Sequence, residues 1–311
     1  MKHLISIDQL GRNGIERILD RAASFGSVAS REVQKVPALR GRLVVNLFYE
    51  SSTRTTSSFE LAAKRLSADV ISIRSSGSSV DKGESLKDTI TTLDAYEPAA
   101  IVVRHPRAGA ADLVARWTRA AVINAGDGAH AHPTQALLDV HTLRQRFGQL
   151  DGLKIWIVGD IAHSRVARST AAAFGLMGAS VTLCGPPTLL PPGIGAALGC
   201  RVVTNLDELA EADVVYTLRM QHERMQGGDV PSLNEYAALY GITGDRLVAS
   251  QVVMHPGPVN RGVELAGDVV DSAQSLIGEQ VAAGVAVRMA VLYELLAGAE
   301  KDERVREAAT A

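Results

Sequence analysis

The feature that most constrains this chain is its alternation of short apolar runs with amphipathic segments, in two successive series along 311 residues. Runs of strand length stand at 43–48, 70–73, 99–103 and 122–123. Helical spacing of apolar residues links them at 57–66, 85–93 and 110–117. Ahead of the first strand, Ile15, Ile18, Leu19, Ala22 and Phe25 mark one face of a helix. A long helix is predicted over 133–147, and the alternation then restarts. Strand 154–158, helix 166–177, strands 180–184 and 200–203, a short helix 207–210, and strands 213–217 and 251–254 follow, with a closing helix at 279–298. Such alternation is the pattern of βαβ units, whose parallel strands are covered on both faces. The chain is therefore read as α/β, with two doubly wound parallel-sheet domains. Ligands in such folds bind beyond the carboxyl ends of the strands, so the residues that follow strands carry the functional reading.

Composition narrows the class. Hydrophobic residues make up 46% and charged residues 21%, and 32 basic against 34 acidic side chains leave a net charge of −2. That balance argues against nucleic acid as a partner, since phosphate-backbone binding wants a basic surplus. Cys184 and Cys200 are too few for a disulfide framework and fit a reducing cytoplasm. No signal peptide, internal repeat or 18-residue apolar run is evident, so neither export nor membrane insertion is expected.

After strand 43–48 comes the run Tyr49 to Thr56, opening a helix. A helix start offers unpaired N–H groups and partial positive charge, the hydroxyls of Ser52, Thr53 and Thr55 add donors, and Arg54 adds a planar cation. An anion site results, best suited to phosphate. The plainer reading is a Ser/Thr N-cap, but an arginine within the run favours a function. Nucleotide signatures are missing: there is no G-x-x-x-x-G-K-[ST], and the turn at Gly159 has only the first glycine of G-x-G-x-x-G. Arg104-His105-Pro106 follows the third strand, and Asn124 to Gly128 follows the fourth and leads into His132-Pro133-Thr134-Gln135. Pro133 suits the first position of a helix, which puts His132 at the N-cap and Gln135 in the first turn. There His132 is expected to be a neutral donor. His130 and His132 lack a cysteine or carboxylate at metal-like spacing, so no metal is expected.

In the second series Gly159 to Arg165, Thr217 to Arg224 and His255-Pro256-Gly257-Pro258 each follow a strand. Most arginines are solvated surface charges. Arg165 and Arg219, coming straight after strands, are better read as carboxylate readers, because a guanidinium binds carboxylate through two parallel bonds.

Seven motifs in order, Ser52-Thr53-Arg54-Thr55, Lys82-Gly83-Glu84, Arg104-His105-Pro106, His132-Pro133-Thr134-Gln135, Arg165, Arg219-Met220-Gln221 and His255-Pro256-Gly257-Pro258, resemble the aspartate carbamoyltransferase catalytic chains of the aspartate/ornithine carbamoyltransferase superfamily. The resemblance implies transfer of a carbamoyl group from carbamoyl phosphate to L-aspartate, early in pyrimidine synthesis, with no cofactor and no metal. It assigns the phosphate to Ser52, Thr53, Arg54 and Thr55. Arg104, His132 and Thr55 would polarise the carbamoyl oxygen. Gln135 and the backbone around Pro256, Gly257 and Pro258 would hold the carbamoyl NH2. Arg165, Arg219 and Gln221 would read the carboxylates of aspartate. Lys82 and an upstream serine, Ser78 or Ser79, would reach into a neighbouring subunit's site, implying a homotrimer with shared sites; association with regulatory or dihydroorotase chains is left open. The implied domains are 1–133 plus about 285–311 for carbamoyl phosphate and about 134–284 for aspartate, with the active site in the cleft between them. The Gly257–Pro258 bond is expected to be cis. Two departures stand out: Asp81 beside Lys82, and Gly257 where some members have leucine.

The chemistry needs no enzyme nucleophile, only an amine, a carbonyl and a leaving phosphate. Holding two reactants in attack geometry lowers a barrier by ~7–11 kcal/mol, and each donor at a developing oxyanion adds on the order of 3–4 kcal/mol. The rivals are transfer to ornithine or a related amine, a non-catalytic anion-binding relative, and, more distantly, a nicotinamide oxidoreductase. Ornithine enzymes typically carry a cysteine in the His-x-x-Pro motif, which here reads His255-Pro256-Gly257-Pro258.

Overall fold

The computed structural model describes residues 1–26, 28, 32–74, 83–221 and 232–297. It divides into two compact units, Met1–His141 with Ala282–Ala311, and Thr142–Val281.

Unit 1 runs α1 (Gly11–Gly26), β1 (Leu43–Phe48), α2 (Thr53–Arg65), β2 (Asp69–Arg74), α3 (Leu86–Asp94), β3 (Ala100–His105), α4 (Ala110–Trp117), β4 (Ala121–Asp127) and α5 (Pro133–Phe147), whose last turns pass into unit 2. Its sheet has the order β2-β1-β3-β4, all parallel. Val45, Leu47, Ile101, Val103 and Val122 pack with Ile90 and Val114 from the covering helices. Fully burying each such side chain contributes about 1.5–3 kcal/mol. The apolar stripe of α1 is buried from Ile15 to Phe25, as its spacing predicts.

Unit 2 runs β5 (Lys154–Val158), α6 (Arg165–Leu176), β6 (Ser180–Cys184), α7 (Ile194–Leu198), β7 (Arg201–Val203), β8 (Val214–Thr217), α8 (Leu233–Tyr240), β9 (Val252–Met254), α9 (Gly267–Val270) and the start of α10 (Ile277–Leu296). The part of α10 from Ala282 onward belongs to unit 1. The second sheet has the order β7-β6-β5-β8-β9, again all parallel. Its core joins Trp156, Val158, Val215, Tyr236 and Leu265. Among the described residues no helix is long and apolar enough to cross a membrane.

Several boundaries depart from the sequence reading. β3 continues to His105 and β4 to Asp127, so Arg104, His105 and Asn124 to Asp127 lie within strands rather than beyond them. Strand pairing uses the backbone, so the ladder continues through polar residues: Phe48 is in register with Arg104, and Tyr49 N–H donates to the Arg104 carbonyl at 2.8 Å. α2 starts at Thr53, not 57, because Ser52 caps it. The expected short helix at 207–210 is a 3-10 turn, Leu209–Glu211, and α8 was not expected.

Both strand orders reverse beside the first strand of the unit, between β1 and β3 and between β5 and β8. A crevice opens at such a reversal because the flanking connections leave on opposite faces of the sheet. The carboxyl ends of β1 and β3 lead to Ser52–Arg54 and Arg104. Those of β5 and β8 lead to Arg165 and to Arg219 with Gln221.

Candidate active site

In unit 1 the chain leaves β1 and enters α2 through Ser52, whose backbone is extended (φ −159°, ψ 99°) and whose Oγ accepts the Thr55 N–H at 3.3 Å. Thr53 and Arg54 are exposed on the first turn and Thr55 is buried beneath them. The N–H groups ahead of Thr55 and the Arg54 cation thus share one helix end, a setting for a dianion. On the adjacent strand Arg104 donates from Nη1 to the Ala125 carbonyl at 3.3 Å, and its Nη2 lies 3.6 Å from Glu50 Oε1. Glu50 holds the guanidinium in place and offsets part of its charge. Beside it, burial is the main cause holding the His105 ring below its ordinary pKa, and that ring packs on Tyr49 with centroids 4.9 Å apart.

The loop from β4 to α5 is built around Asp127, which is fully buried. Its carboxylate accepts from Gly109 N–H at 2.7 Å, Ala131 N–H at 3.1 Å and Asn124 Nδ2 at 2.7 Å. His130 Nδ1 lies 3.0 Å from the same carboxylate, so His130 serves this loop. His132 is buried directly before Pro133, and its carbonyl accepts the N–H groups of Gln135 and Ala136 at 3.0 and 3.3 Å. Gln135 sits in the first turn of α5, where its Nε2 donates to Asp139 Oδ1 at 3.0 Å. Gly128 has φ +50°, and a Cβ there would lie 2.5 Å from the Ala108 backbone nitrogen. Gly128→Ala is expected to destabilise the protein by about 1–3 kcal/mol. Urea unfolding would show this as a lower midpoint at unchanged slope, and an unshifted midpoint would contradict the crowding.

In unit 2 the turn after β5 is held from both sides. Asp160, fully buried, accepts the His163 N–H at 3.1 Å and pairs with His163 Nδ1 at 2.9 Å. Arg168 donates to the carbonyls of Ile161, Ala162 and Ser164 at 3.1–3.3 Å. Burial lowers the Arg168 pKa and the Asp160 charge opposes that shift. Ser164 Oγ accepts the Ala167 N–H at 3.1 Å, and α6 opens on Arg165, which is buried. After β8, Arg219 is half-buried. Gln221 N–H lies 3.4 Å from Asp160 Oδ2, and its Nε2 donates to the His163 carbonyl at 3.2 Å. Asp160 therefore ties the arginine-bearing turn to the Gln221 segment. The third loop starts at His255, whose Nδ1 accepts the Gly257 N–H at 2.7 Å, so its proton sits on Nε2, 3.2 Å from Glu264 Oε1. The Gly257–Pro258 bond is cis, as the resemblance implies.

Of the sequence-nominated residues, Ser52, Thr53, Arg54, Thr55 and Arg104 stand at the strand-order reversal of unit 1 and Arg165, Arg219 and Gln221 at that of unit 2, whereas His132 and Gln135 follow the edge strand β4 and Pro256, Gly257 and Pro258 follow the edge strand β9. Ser78, Ser79, Asp81 and Lys82 lie outside the described residues, as do His222 to Arg224. Sequence reasoning missed the carboxylates behind the site, Glu50, Asp127, Asp139 and Asp160. Asp139 stands four residues after Gln135, a spacing that puts both on one helix face, so its signal was present.

Two family models match in order: aspartate/ornithine carbamoyltransferase, carbamoyl-P binding domain, over residues 2–145, and the Asp/Orn binding domain of the same family over residues 151–295. An aspartate carbamoyltransferase catalytic subunit from Salinispora arenicola is 56% identical over 304 residues, spanning 96% of this chain and 99% of that one. Its counterpart from Pelotomaculum thermopropionicum is 56% identical over 301 residues, spanning 96% and 97%. Among solved structures, the catalytic subunit of M. jannaschii aspartate transcarbamoylase is 38% identical, with a TM-score of 0.84 and coverage of 96% and 99%. Trypanosoma cruzi aspartate transcarbamoylase in complex with N-(phosphonacetyl)-L-aspartic acid is 32% identical, with a TM-score of 0.85 and coverage of 95% and 96%. Matched in both halves and more than half identical to such relatives, the chain belongs to the aspartate/ornithine carbamoyltransferase family.

Proposed function

We infer that this chain is the catalytic chain of an aspartate carbamoyltransferase, which converts carbamoyl phosphate and L-aspartate to N-carbamoyl-L-aspartate and phosphate in de novo pyrimidine synthesis. The observation that carries the reading is the Ser52-capped start of α2, with exposed Arg54 on its first turn and Arg104 on the neighbouring strand. That arrangement suits a tetrahedral dianion next to a carbonyl. Ser52, Thr53, Arg54 and Thr55 hold the phosphate. Thr55, Arg104 and His132 donate to the carbonyl oxygen, whose negative charge grows as the amine adds. Gln135 and the carbonyls of Pro256 and Gly257 take the carbamoyl NH2, and Arg165, Arg219 and Gln221 take the aspartate carboxylates. The departing phosphate accepts the amine proton. Lys82 and Ser78 or Ser79 serve a neighbouring subunit's site, so the proposed active form is a homotrimer, and its proposed location is the cytoplasm.

The test is an assay of the purified protein with carbamoyl phosphate and either L-aspartate or L-ornithine, following ureido product and phosphate. Turnover with aspartate alone is expected. Turnover with ornithine instead would reassign the acceptor, and stoichiometric binding without product would mark a non-catalytic relative. Light scattering tests the trimer, which an active monomer would contradict.

A further inference from the structure

Asp139 is fully buried one turn along α5 from Gln135 and accepts the Gln135 Nε2 at 3.0 Å. Arg288, carried by α10, is buried as well, and the Asp139 charge opposes the lowering of its pKa by burial. The Arg288 guanidinium lies over the Phe59 ring at 5.1 Å and donates from Nη1 to the Gly284 carbonyl at 3.1 Å. A Cβ at Gly284 would fall 2.5 Å from that Nη1, so the backbone itself forms the cradle. Within unit 1 a buried carboxylate and a carboxamide therefore stand in series, ending at the first turn of the helix that His132 opens.

We propose that Asp139 is a positioning residue that fixes which end of the Gln135 carboxamide meets substrate. In the structure Asp139 Oδ1 is the acceptor of this bond. It takes the NH2 end of Gln135, which leaves the carbonyl oxygen to face outward. An acceptor there is satisfied by an acyl phosphate that bears an NH2 and is left unpaired by one that bears a methyl. A site built around such a group rejects the analogue that lacks the donor. Asp139, acting through Gln135, thus sets selection of carbamoyl phosphate over acetyl phosphate. Burial pushes the Arg288 guanidinium down to about 10, with Asp139 opposing, so it stays charged at neutral pH.

This inference rests on the carbamoyl-transfer reading. The test is the ratio of kcat/KM for carbamoyl phosphate to that for acetyl phosphate, with L-aspartate as acceptor. Asp139→Asn lets the Gln135 amide flip, and the ratio is expected to fall about tenfold, mostly through the carbamoyl donor. Loss of both activities in equal proportion would overturn the proposal by making Asp139 merely structural. Gln135→Glu guards against a variant that does not fold. Its new carboxyl meets Asp139 and shares a proton with it, since a neighbouring carboxylate raises a carboxyl's pKa. Carbamoyl transfer by Gln135→Glu should then fall with rising pH where the wild type is flat. A profile parallel to the wild type would overturn the proposal. A wild type that carbamoylates no amine would remove the functional reading as well, which separates the two failures.

Discussion

Replacing Arg54 by alanine is expected to lower kcat/KM for carbamoyl phosphate by about 10²–10³-fold while leaving the unfolding free energy within about 0.5 kcal/mol of the wild type. The two halves of this expectation have separate causes. Arg54 is exposed on the first turn of α2, and its guanidinium makes no ion pair with a described residue. The helix is started by Ser52 Oγ and by the Ser52 carbonyl, which accepts the Thr56 N–H at 3.0 Å, and neither bond involves the Arg54 side chain. The fold therefore loses little. The phosphate, by contrast, loses a cation with two parallel donors at the stage when charge collects on it. Arg54→Lys should recover only part of the loss, because an ammonium is a point charge without the planar fork. Steady-state kinetics beside a thermal melt measure both halves. Normal turnover in the alanine variant would remove the phosphate-site assignment.

His132→Ala is expected to lower kcat by about 10²-fold and to change the KM for aspartate by less than about threefold. The ring is assigned to an oxygen whose charge develops only as the amine adds, so its bond is worth more in the transition state than in the ground state. The substitution leaves the start of α5 intact, because the backbone carbonyl of residue 132, not its ring, accepts the Gln135 and Ala136 N–H groups. Asp127 likewise continues to hold Ala131 and His130. If affinity were lost and turnover kept, His132 would belong to substrate binding instead.

Much of the scaffold is legible in the sequence because a single local signal fixes it. β1, α4 and α5 follow from an apolar run, an amphipathic stripe and a proline at a helix start, and the structure has them at the expected residues. Boundaries move where polar residues carry an element onward. Arg104 and Asn124 look like loop residues until the neighbouring strand supplies backbone partners and Asn124 Nδ2 finds the Ile5 carbonyl at 2.9 Å. α8 did leave a trace, since Ser232 followed by Glu235 has the spacing of a capping box, and Ser232 Oγ accepts the Glu235 N–H at 3.1 Å. Exposed and half-buried site cations could be nominated from their places after strands. Of their buried supports, Asp139 had a local signal in its spacing from Gln135, but Arg288 had none, because its partner Phe59 lies far along the chain.

That long-range dependence has a consequence during synthesis. Unit 1 is completed by the stretch of α10 that follows the 140 residues Thr142–Val281. Val287, Met289, Val291, Leu292 and Leu295 are buried there, and Tyr293 packs edge-on against Phe25 at 5.8 Å. At about 5–20 residues per second a ribosome needs ~7–28 s to make the intervening segment. Throughout that interval the nascent first unit lacks its last helix and presents an oily flank to water, a window in which a chaperone can bind or two unfinished chains can stick together.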